Sequence, residues 1–207
     1  MKISRKILLI SLAFILLISS FMVYFNRQPE RQIPAGRTIV SPASGKIISI
    51  QKIEEPDISF FKKDILNTLS SNYLEPPYKV IIIQLDLFDV HVQRSPIVGT
   101  VLDQRYFSGQ FKNAVFGPNK NELVNVNEKM LTVIRGSDFS VGVVQVAGSI
   151  ARRIKSFVRL DQQLQAGELL GRITLGSQVV LILPVDLNLQ VSEGQKIIDG
   201  VTIMAEY

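Results

Sequence analysis

An uncharged apolar run near the N-terminus constrains this chain more than any other feature. The run extends from Ile7 to Phe25 and is interrupted only by Ser11, Ser19 and Ser20. About 19 residues of this kind form an α-helix long enough to cross a hydrocarbon core of about 30 Å. Tyr24 and Phe25 lie at the end of the run, where interfacial aromatic residues are common. The run therefore predicts one membrane-spanning helix within residues 1–26.

A secretory signal peptide is the competing interpretation, because three basic residues precede the run: Lys2, Arg5 and Lys6. However, the run is longer than the usual apolar core of a signal peptide, and no small-residue cleavage site follows Phe25. We therefore favour an uncleaved, single-pass anchor in the cell membrane. Its orientation stays undetermined, since Arg27, Arg31 and Arg37 balance the basic residues on the other side.

Composition excludes several classes of site. The 207 residues include no cysteine and one histidine, His91, so disulfides, thiolate nucleophiles and multi-histidine metal sites are excluded. The formal net charge is +5, and three of the positive charges precede the apolar run. The rest of the chain therefore lacks the strongly basic surface of a nucleic-acid-binding protein. We expect neither a metal nor a nucleic acid as a ligand.

Residues 27–37 contain prolines, a glycine and polar residues, and they predict a linker between the anchor and a domain at residues 38–207. The domain sequence consists of short β-like runs separated by glycine turns. The predicted strands are Thr38–Val40, Lys46–Ile50, Lys79–Leu85, Asp89–Val92, Leu131–Ile134, Val141–Val146 and Val179–Leu183. This spacing favours an all-β sandwich or barrel-like domain. Two short helices are also expected, at Phe60–Leu69 and Gly148–Phe157.

A weak internal repeat relates Leu164–Gly171 to Val191–Gly200. Each copy has a polar turn in which Gly precedes Glu or Gln, then an apolar pair, then a second glycine. Units of this kind are typical of hammerhead-like β folds. We therefore expect hammerhead-like repeats within the β domain.

Asp89 and His91 are candidates for acid–base chemistry. If Asp89–Val92 is a strand, the two side chains project from the same face. A carboxylate beside an imidazole fixes its tautomer and raises its basicity, as a general base requires. A hydrogen-bonded histidine at a strand end, without any catalytic role, produces the same pattern. The residues alone leave both interpretations open.

Gly176-Ser177 is a common turn dipeptide, but it also permits a specific reaction. Glycine leaves its carbonyl open to attack, and the serine hydroxyl can reach that carbonyl in an N→O acyl shift. Elimination from the resulting ester, followed by hydrolysis, leaves a pyruvoyl group and releases ammonia.

Five segments in order resemble the phosphatidylserine decarboxylase family, in particular its short form. They are Ile39–Lys46, Leu87–Gly99, Asn121–Glu122, Val144–Ile154 and Gly171–Ser177. The resemblance implies a proenzyme that cleaves itself between Gly176 and Ser177. The larger chain would end at Gly176, and Ser177 would become the pyruvoyl group at the N-terminus of the small chain.

The resemblance also implies a reaction and its partners. The pyruvoyl carbonyl would condense with the amine of a serine phospholipid, and loss of CO2 would convert phosphatidylserine to phosphatidylethanolamine. His91 would act as the base in processing or handle protons in decarboxylation. Arg152 and Arg153 would contact lipid phosphate or an anionic membrane surface, with a solvated basic pair as the alternative. A homodimer and a cytoplasmic position on the membrane are further implications.

Two positions depart from the family pattern. Ser44 stands where the family has an aspartate that belongs to a self-cleavage triad, and Leu123 stands where arginine is usual. Serine cannot stabilise an imidazolium as a carboxylate does. Processing should therefore be slow unless another group substitutes, Asp89 first and Asp86 second. The alternative is a membrane-anchored scaffold or adaptor homologue, with a hammerhead-like domain, that no longer cleaves itself.

Overall fold

The computed structural model describes residues 5–62, 65–108, 128–148, 153–174 and 178–207. The N-terminal run forms helix α1, Arg5–Phe25. An 18-residue window of α1 has a mean hydropathy of 2.6, and none of the window is buried against the rest of the protein. By length and composition α1 can therefore cross a membrane.

The rest of the described chain consists of strands joined by turns. The strands are β1 (Thr38–Val40), β2 (Gly45–Ile53), β3 (Ile58–Lys62), β4 (Ile65–Leu69), β5 (Tyr78–Gln84), β6 (Val92–Arg94), β7 (Gly99–Phe107), β8 (Lys129–Arg135), β9 (Ser140–Val146), β10 (Ile154–Ser156), β11 (Gln163–Leu164), β12 (Leu169–Ile173), β13 (Gln178–Pro184), β14 (Asn188–Leu189), β15 (Lys196–Ile197) and β16 (Ile203–Glu206). The predicted fold class, an all-β domain behind one apolar helix, is confirmed.

Eight strands form the main antiparallel sheet, in the order β11-β7-β8-β9-β13-β5-β2-β15. Its central strands are apolar on both faces because both faces are covered. In β13, for example, Val179 and Leu181 enter one core, whereas Val180 and Ile182 enter the other. The second core is closed by the β3–β4 hairpin, and two three-stranded sheets, β1-β16-β14 and β10-β12-β6, complete the domain.

Both short helices predicted from the sequence are wrong within the described residues. Most of the first lies in the β3–β4 hairpin. Ile58 and Phe60 are both fully buried there, which is the two-residue period of a strand rather than that of a helix. In the second, residues 149–152 lie outside the described residues, and Ile154–Ser156 form β10, paired with β12.

The domain has two halves with matching hydrogen bonds and matching strand order, an approximate two-fold relation. The segments Ser41-Pro42 and Ser95-Pro96 run past each other, so that Val40 N donates to Pro96 O and Arg94 N donates to Pro42 O, both at 2.9 Å. β2 and β7 follow these segments, and each has nine residues with a bulge after the third. The sheet order has the same symmetry: β2 corresponds to β7, and β15 corresponds to β11.

The predicted repeat appears as two turns with the same hydrogen bonds. Gln165 N donates to the carboxylate of Glu168, and Glu168 N donates back to Gln165 O. Ser192 and Gln195 form the equivalent pair of bonds. Similar local sequences therefore do produce similar turns.

The two-fold relation pairs the glycines of this repeat differently from the sequence comparison. Gly167 N donates to Ser95 O and Gly200 N donates to Ser41 O, both at 2.8 Å. Gly167 therefore corresponds to Gly200 rather than to Gly194. The partners that establish this correspondence are distant in the chain, so local similarity could not reveal it.

The end of α1 and the linker lie against the domain. Phe25, the last residue of α1, is 2% exposed. Arg172 donates to the side-chain oxygen of Asn26 at 2.7 Å and to its main-chain oxygen at 2.9 Å, and Arg27 donates to Phe88 O at 2.7 Å. These contacts place the end of α1 beside β12 and the residues that precede β6.

Candidate active site

His91 lies just before β6 and is fully buried. Its Nδ1 is 2.9 Å from the main-chain oxygen of Asp89. Because a carbonyl oxygen only accepts, Nδ1 carries the proton and Nε2 is the unprotonated nitrogen. Nε2 is buried and has no hydrogen-bond partner among the described residues. The imidazole therefore presents a free lone pair, as a base requires.

The carboxylate of Asp89 does not make the contact that the sequence indicated. Residues 87–89 form a turn and β6 begins only at Val92, so the predicted strand Asp89–Val92 is wrong. Within the turn, the Asp89 carboxylate accepts the main-chain N–H of Asp86 at 2.7 Å. Asp89 thus holds His91 through its carbonyl, and its carboxylate acts on the imidazole only through its charge.

Phe25 covers the imidazole, with ring centroids 4.2 Å apart and planes inclined by 38°. Burial is the main cause that lowers the pKa of His91, and the charges of Arg27 and Arg172 lower it further. The hydrogen bond to the Asp89 carbonyl and the Asp89 charge act in the opposite direction. The imidazole is consequently neutral near pH 7.

Buried amides connect the His91 backbone to the sheet. His91 O accepts hydrogen bonds from Gln93 Nε2 at 3.0 Å and from Ile173 N at 3.1 Å. Gln93 Oε1 accepts in turn from Gln145 Nε2 at 2.7 Å. A Cβ at position 171 would lie 2.6 Å from the main-chain oxygen of Lys155 and 3.0 Å from Gln145 Nε2, so this packing favours glycine there. The network fixes the end of β12 against His91.

Gly176 and Ser177 lie outside the described residues, but the residues on either side are described. On one side, Thr174 Oγ1 donates to Arg153 O at 2.8 Å, one residue after Ile173 contacts His91. On the other side, Gln178 opens β13, is buried, and donates to Gln84 Oε1 at 3.0 Å. The described residues that flank the predicted scissile bond therefore lie near His91 on one side and in the main sheet on the other.

Ser44 is buried and bonds to a carboxylate instead of to the imidazole. Its hydroxyl donates to Asp199 at 2.5 Å and accepts from Asp199 N at 3.1 Å. Asp199 is fully buried and also accepts from Arg94 and from Arg31, each at 2.7 Å. These four residues, the Asp199 cluster, tie the linker to the domain.

A cavity of about 350 Å³ opens between the Asp199 cluster and Asp89. Arg27, Arg31 and Lys196 contribute cationic side chains to its lining. A cavity of about 360 Å³ lies beside Tyr78 and Pro184, at the opposite end of β5 and β13. Because a seven-residue strand spans about 20 Å, that second cavity is remote from the His91 end of the sheet.

A family model of phosphatidylserine decarboxylase matches residues 18–205. The chain belongs to the phosphatidylserine decarboxylase family. The phosphatidylserine decarboxylase proenzyme of Wolbachia sp. subsp. Brugia malayi (strain TRS) is 39% identical over 186 residues, which cover 88% of this chain and 74% of that protein. The proenzyme of Chlorobium phaeobacteroides is 37% identical over 90% of this chain and 79% of its own length.

A relative named for a different lipid is also similar. The putative archaetidylserine decarboxylase proenzyme of Methanocaldococcus jannaschii is 34% identical over 89% of this chain and 89% of its own length. The family resemblance found in the sequence is thereby confirmed, and the chain is a carboxy-lyase of the phosphatidylserine decarboxylase family.

Within this decarboxylase, two further predicted positions, Arg152 and Leu123, lie outside the described residues. Arg153 is exposed, and its main chain meets Thr174. Sequence reasoning missed Phe25 as a partner of His91, because an aromatic residue at a helix end indicates a membrane interface. It also missed Asp199, because Asp before Gly indicates a turn.

Proposed function

We propose that this decarboxylase is a self-processing, pyruvoyl-dependent enzyme that converts a serine phospholipid to the corresponding ethanolamine phospholipid and CO2. The proposal rests mainly on the state of His91, a buried and neutral imidazole whose Nε2 has no partner in the described part of the chain. A buried acceptor left unpaired costs about 1–3 kcal/mol. A serine hydroxyl that donates to Nε2 would remove this cost, and Nε2 would activate the hydroxyl as a nucleophile.

In the proposed self-cleavage, His91 Nε2 accepts the hydroxyl proton of Ser177 while the oxygen attacks the carbonyl carbon of Gly176. The imidazolium returns the proton to the departing amide nitrogen, and the peptide bond becomes an ester. Loss of the Ser177 α-proton and departure of the Gly176 carboxylate leave a dehydroalanine. Its hydrolysis consumes one water, releases ammonia and leaves a pyruvoyl group on the small chain.

The described residues beside the cleavage segment fit such a group. Gln178 would follow the pyruvoyl group directly, and its bond to Gln84 would hold the new N-terminus at the first residue of β13. Gln178 Oε1 and His91 Nε2 are both buried acceptors without a partner among the described residues, so each has a lone pair open to a donor. Once formed, the pyruvoyl group would supply an electron sink for the carbanion that loss of CO2 creates.

Asp89 would support the base in place of the aspartate that Ser44 replaces. Its carbonyl fixes the tautomer of His91, and its negative charge raises the pKa of the imidazole. Its carboxylate does not share a hydrogen bond with the imidazole, so it would stabilise the imidazolium less than a triad carboxylate does. We therefore expect self-cleavage to occur, but more slowly than with an aspartate-bonded imidazole.

Helix α1 would anchor the enzyme beside its lipid substrate. The contacts of Phe25 with His91 and of Asn26 with Arg172 favour an uncleaved anchor over a signal peptide. Removal of the apolar run would strip Phe25 from the imidazole and expose it to water. The homodimer implied by the family resemblance stays a prediction.

The test is the intact mass of the full-length protein, extracted in mild detergent, beside a Ser177→Ala control. We expect two chains separated at Gly176-Ser177, the small one lighter by one ammonia than the same chain with an N-terminal serine. The control should stay a single chain. Decarboxylation of phosphatidylserine by the cleaved protein, measured as CO2 release, would then establish the substrate.

The opposite outcome is equally clear. A single uncut wild-type chain would mean that the Asp89 carbonyl and charge do not replace the triad carboxylate. The non-processing scaffold would then be the better interpretation. A second sample treated with hydroxylamine, which cleaves esters, would show whether the acyl shift had taken place without elimination.

A further inference from the structure

We propose that the cavity beside Asp89, which Lys196 and Arg27 help to line, is a subsite for the phosphodiester of a lipid headgroup, with Lys46 adjoining it opposite Lys196. The inference deepens the proposed function, from which it takes the serine phospholipid as the ligand. It concerns residues that the family motifs found in the sequence did not assign to lipid recognition.

Lys46 and Lys196 lie directly opposite each other on β2 and β15. Opposed residues have Cβ atoms about 4.5–5.5 Å apart, and like charges at that spacing destabilise a sheet. Both lysines are exposed, and neither forms an ion pair with a carboxylate in the described part of the chain. Two positive charges therefore share one place on the surface without a counterion from the described residues.

Another opposed lysine pair in the same sheet shows how the domain otherwise relieves this repulsion. Lys52 and Lys79 are partners at the far end of β2 and β5. Lys52 forms an ion pair with Glu54 at 2.7 Å, and Lys79 donates to Leu187 O. Each of these lysines has its own acceptor, whereas Lys46 and Lys196 have none within the described ranges of the chain.

The two-fold relation shows that the fold does not need the Lys46–Lys196 pair. In the other half, β7 and β11 carry Thr100 and Gln163 at the equivalent opposed positions. Gln163 Nε2 donates to Thr100 Oγ1 at 2.7 Å. A neutral, hydrogen-bonded pair therefore occupies the equivalent position in that half. An anionic ligand explains why one half has two lysines at this place.

The lysine pair adjoins the cavity. Lys196 lines it together with Arg27 and Arg31, and Asp89 provides a carboxylate. Arg31 is already neutralised within the Asp199 cluster. Arg27 donates to two main-chain carbonyls, which leaves further guanidinium N–H groups available. A phosphodiester, with one negative charge and several acceptor oxygens, matches a lysine pair and an arginine.

The position relative to the membrane favours a lipid phosphate. Arg27 is two residues beyond the last residue of α1, and a basic residue there lies at headgroup level. Leu87 and Phe88, in the loop that accepts the hydrogen bond of Arg27, are 43% and 64% exposed. Exposed apolar residues beside a basic cavity suit a ligand with a charged head and apolar chains.

The subsite and the cleavage segment lie on one row across the sheet. Lys196, Lys46, Gln84 and Gln178 are successive partners in neighbouring strands. At about 4.8 Å per strand, Lys46 is about 10 Å from Gln178, the residue after the predicted pyruvoyl position. A lysine side chain and a serine phosphate headgroup can span that distance together, with the amine directed toward the cleavage segment.

The first arm of the test measures turnover in phosphatidylserine vesicles by full-length protein with Lys46→Gln and Lys196→Gln combined. We expect KM for the lipid to rise about tenfold or more, as the loss of charge-assisted hydrogen bonds implies, with self-cleavage and kcat close to wild type. Lys52→Gln, an exposed lysine of the same strand, is the matched control and should leave KM unchanged. An unchanged KM in the double variant would overturn the proposal.

The second arm does not depend on turnover, so it separates this proposal from the proposed function. Uncleaved Ser177→Ala protein is titrated against glycerophospho-L-serine, and binding is followed by ³¹P line broadening. Broadening that the lysine double variant abolishes supports the subsite even if the wild type proves inactive. Broadening that the double variant retains overturns it. Equal competition by inorganic phosphate would show a free-phosphate site and overturn the lipid assignment.

Discussion

Asp199→Asn is expected to destabilise the domain by about 3 kcal/mol, the lower end of the cost of removing one partner from a buried ion pair. Asp199 is fully buried and neutralises Arg94, whose side chain is 10% exposed, and Arg31, whose side chain is 18% exposed. Asparagine has the same shape, but it carries no charge and turns N–H donors toward a guanidinium. The substitution therefore leaves a buried arginine without its counterion.

Two features place the expected loss of stability at the lower end of the range for a broken buried ion pair. Arg94 keeps its hydrogen bonds to Gly167 O at 2.9 Å and to Pro29 O at 2.6 Å. Arg31 belongs to the linker and can turn toward water, so its share resembles that of a surface pair, about 0–1 kcal/mol. The remaining loss of stability comes from Arg94, whose buried surroundings do not let it turn toward water.

The assay is pulse proteolysis of the full-length protein in mild detergent across a urea series. With a slope of about 2 kcal/mol per M, the midpoint should fall by about 1.5 M urea. Asp138→Asn is the matched control, because Asp138 pairs with Arg37 and both side chains are more than half exposed; its midpoint should barely move. If the two variants shift the midpoint equally, Asp199 does not neutralise a buried charge and the reasoning is wrong.

Three further predictions concern the site. Burial holds the pKa of His91 below its unfolded value of about 6.5, so the unfolded state binds more protons. Wild type should therefore lose stability relative to His91→Gln as the pH falls through about 6.5. A difference between the two urea midpoints that is the same above and below that pH would contradict this. Phe25→Ala should admit water and raise that pKa, visible as a shifted titration of the single histidine signal in NMR; an unmoved titration would show that Phe25 does not desolvate the ring. Gly171→Ala would place a Cβ 2.6 Å from Lys155 O and should cost about 1–3 kcal/mol; an unchanged urea midpoint would refute the tight packing.

Patterns that depend on local burial were readable from the sequence. Val179–Leu183 was predicted as a strand because it is apolar throughout, and it is apolar because both faces of the central sheet are covered. The prediction of a helix at Phe60–Leu69 failed, because the described residues of this segment pair as antiparallel strands. Short apolar segments satisfy both periods, and only the long-range partner decides between them.

Contacts between residues distant in the chain could not be predicted from the sequence. Ser44 and Asp199 are 155 residues apart, and no local pattern distinguishes Asp199 from an ordinary turn aspartate. The carboxylate that the sequence assigned to His91 was correct in residue but not in atom, because Asp89 lies in a turn and offers its carbonyl. The proximity of Asp89 to His91 was thus predictable from their spacing, whereas the atom that makes the hydrogen bond depended on the fold.

The apolar helix and the candidate base cannot be treated as separate parts of this protein. Phe25 is the last residue of α1, and its ring lies against the imidazole of His91. Burial is the main cause of the lowered pKa of His91, so α1 helps to keep the imidazole neutral and able to accept a proton. Arg172, whose charge also lowers that pKa, is held by Asn26 directly after the helix. A chain that begins after residue 26 would therefore lose more than an apolar helix, because the histidine would be exposed to water on the side from which α1 now covers it.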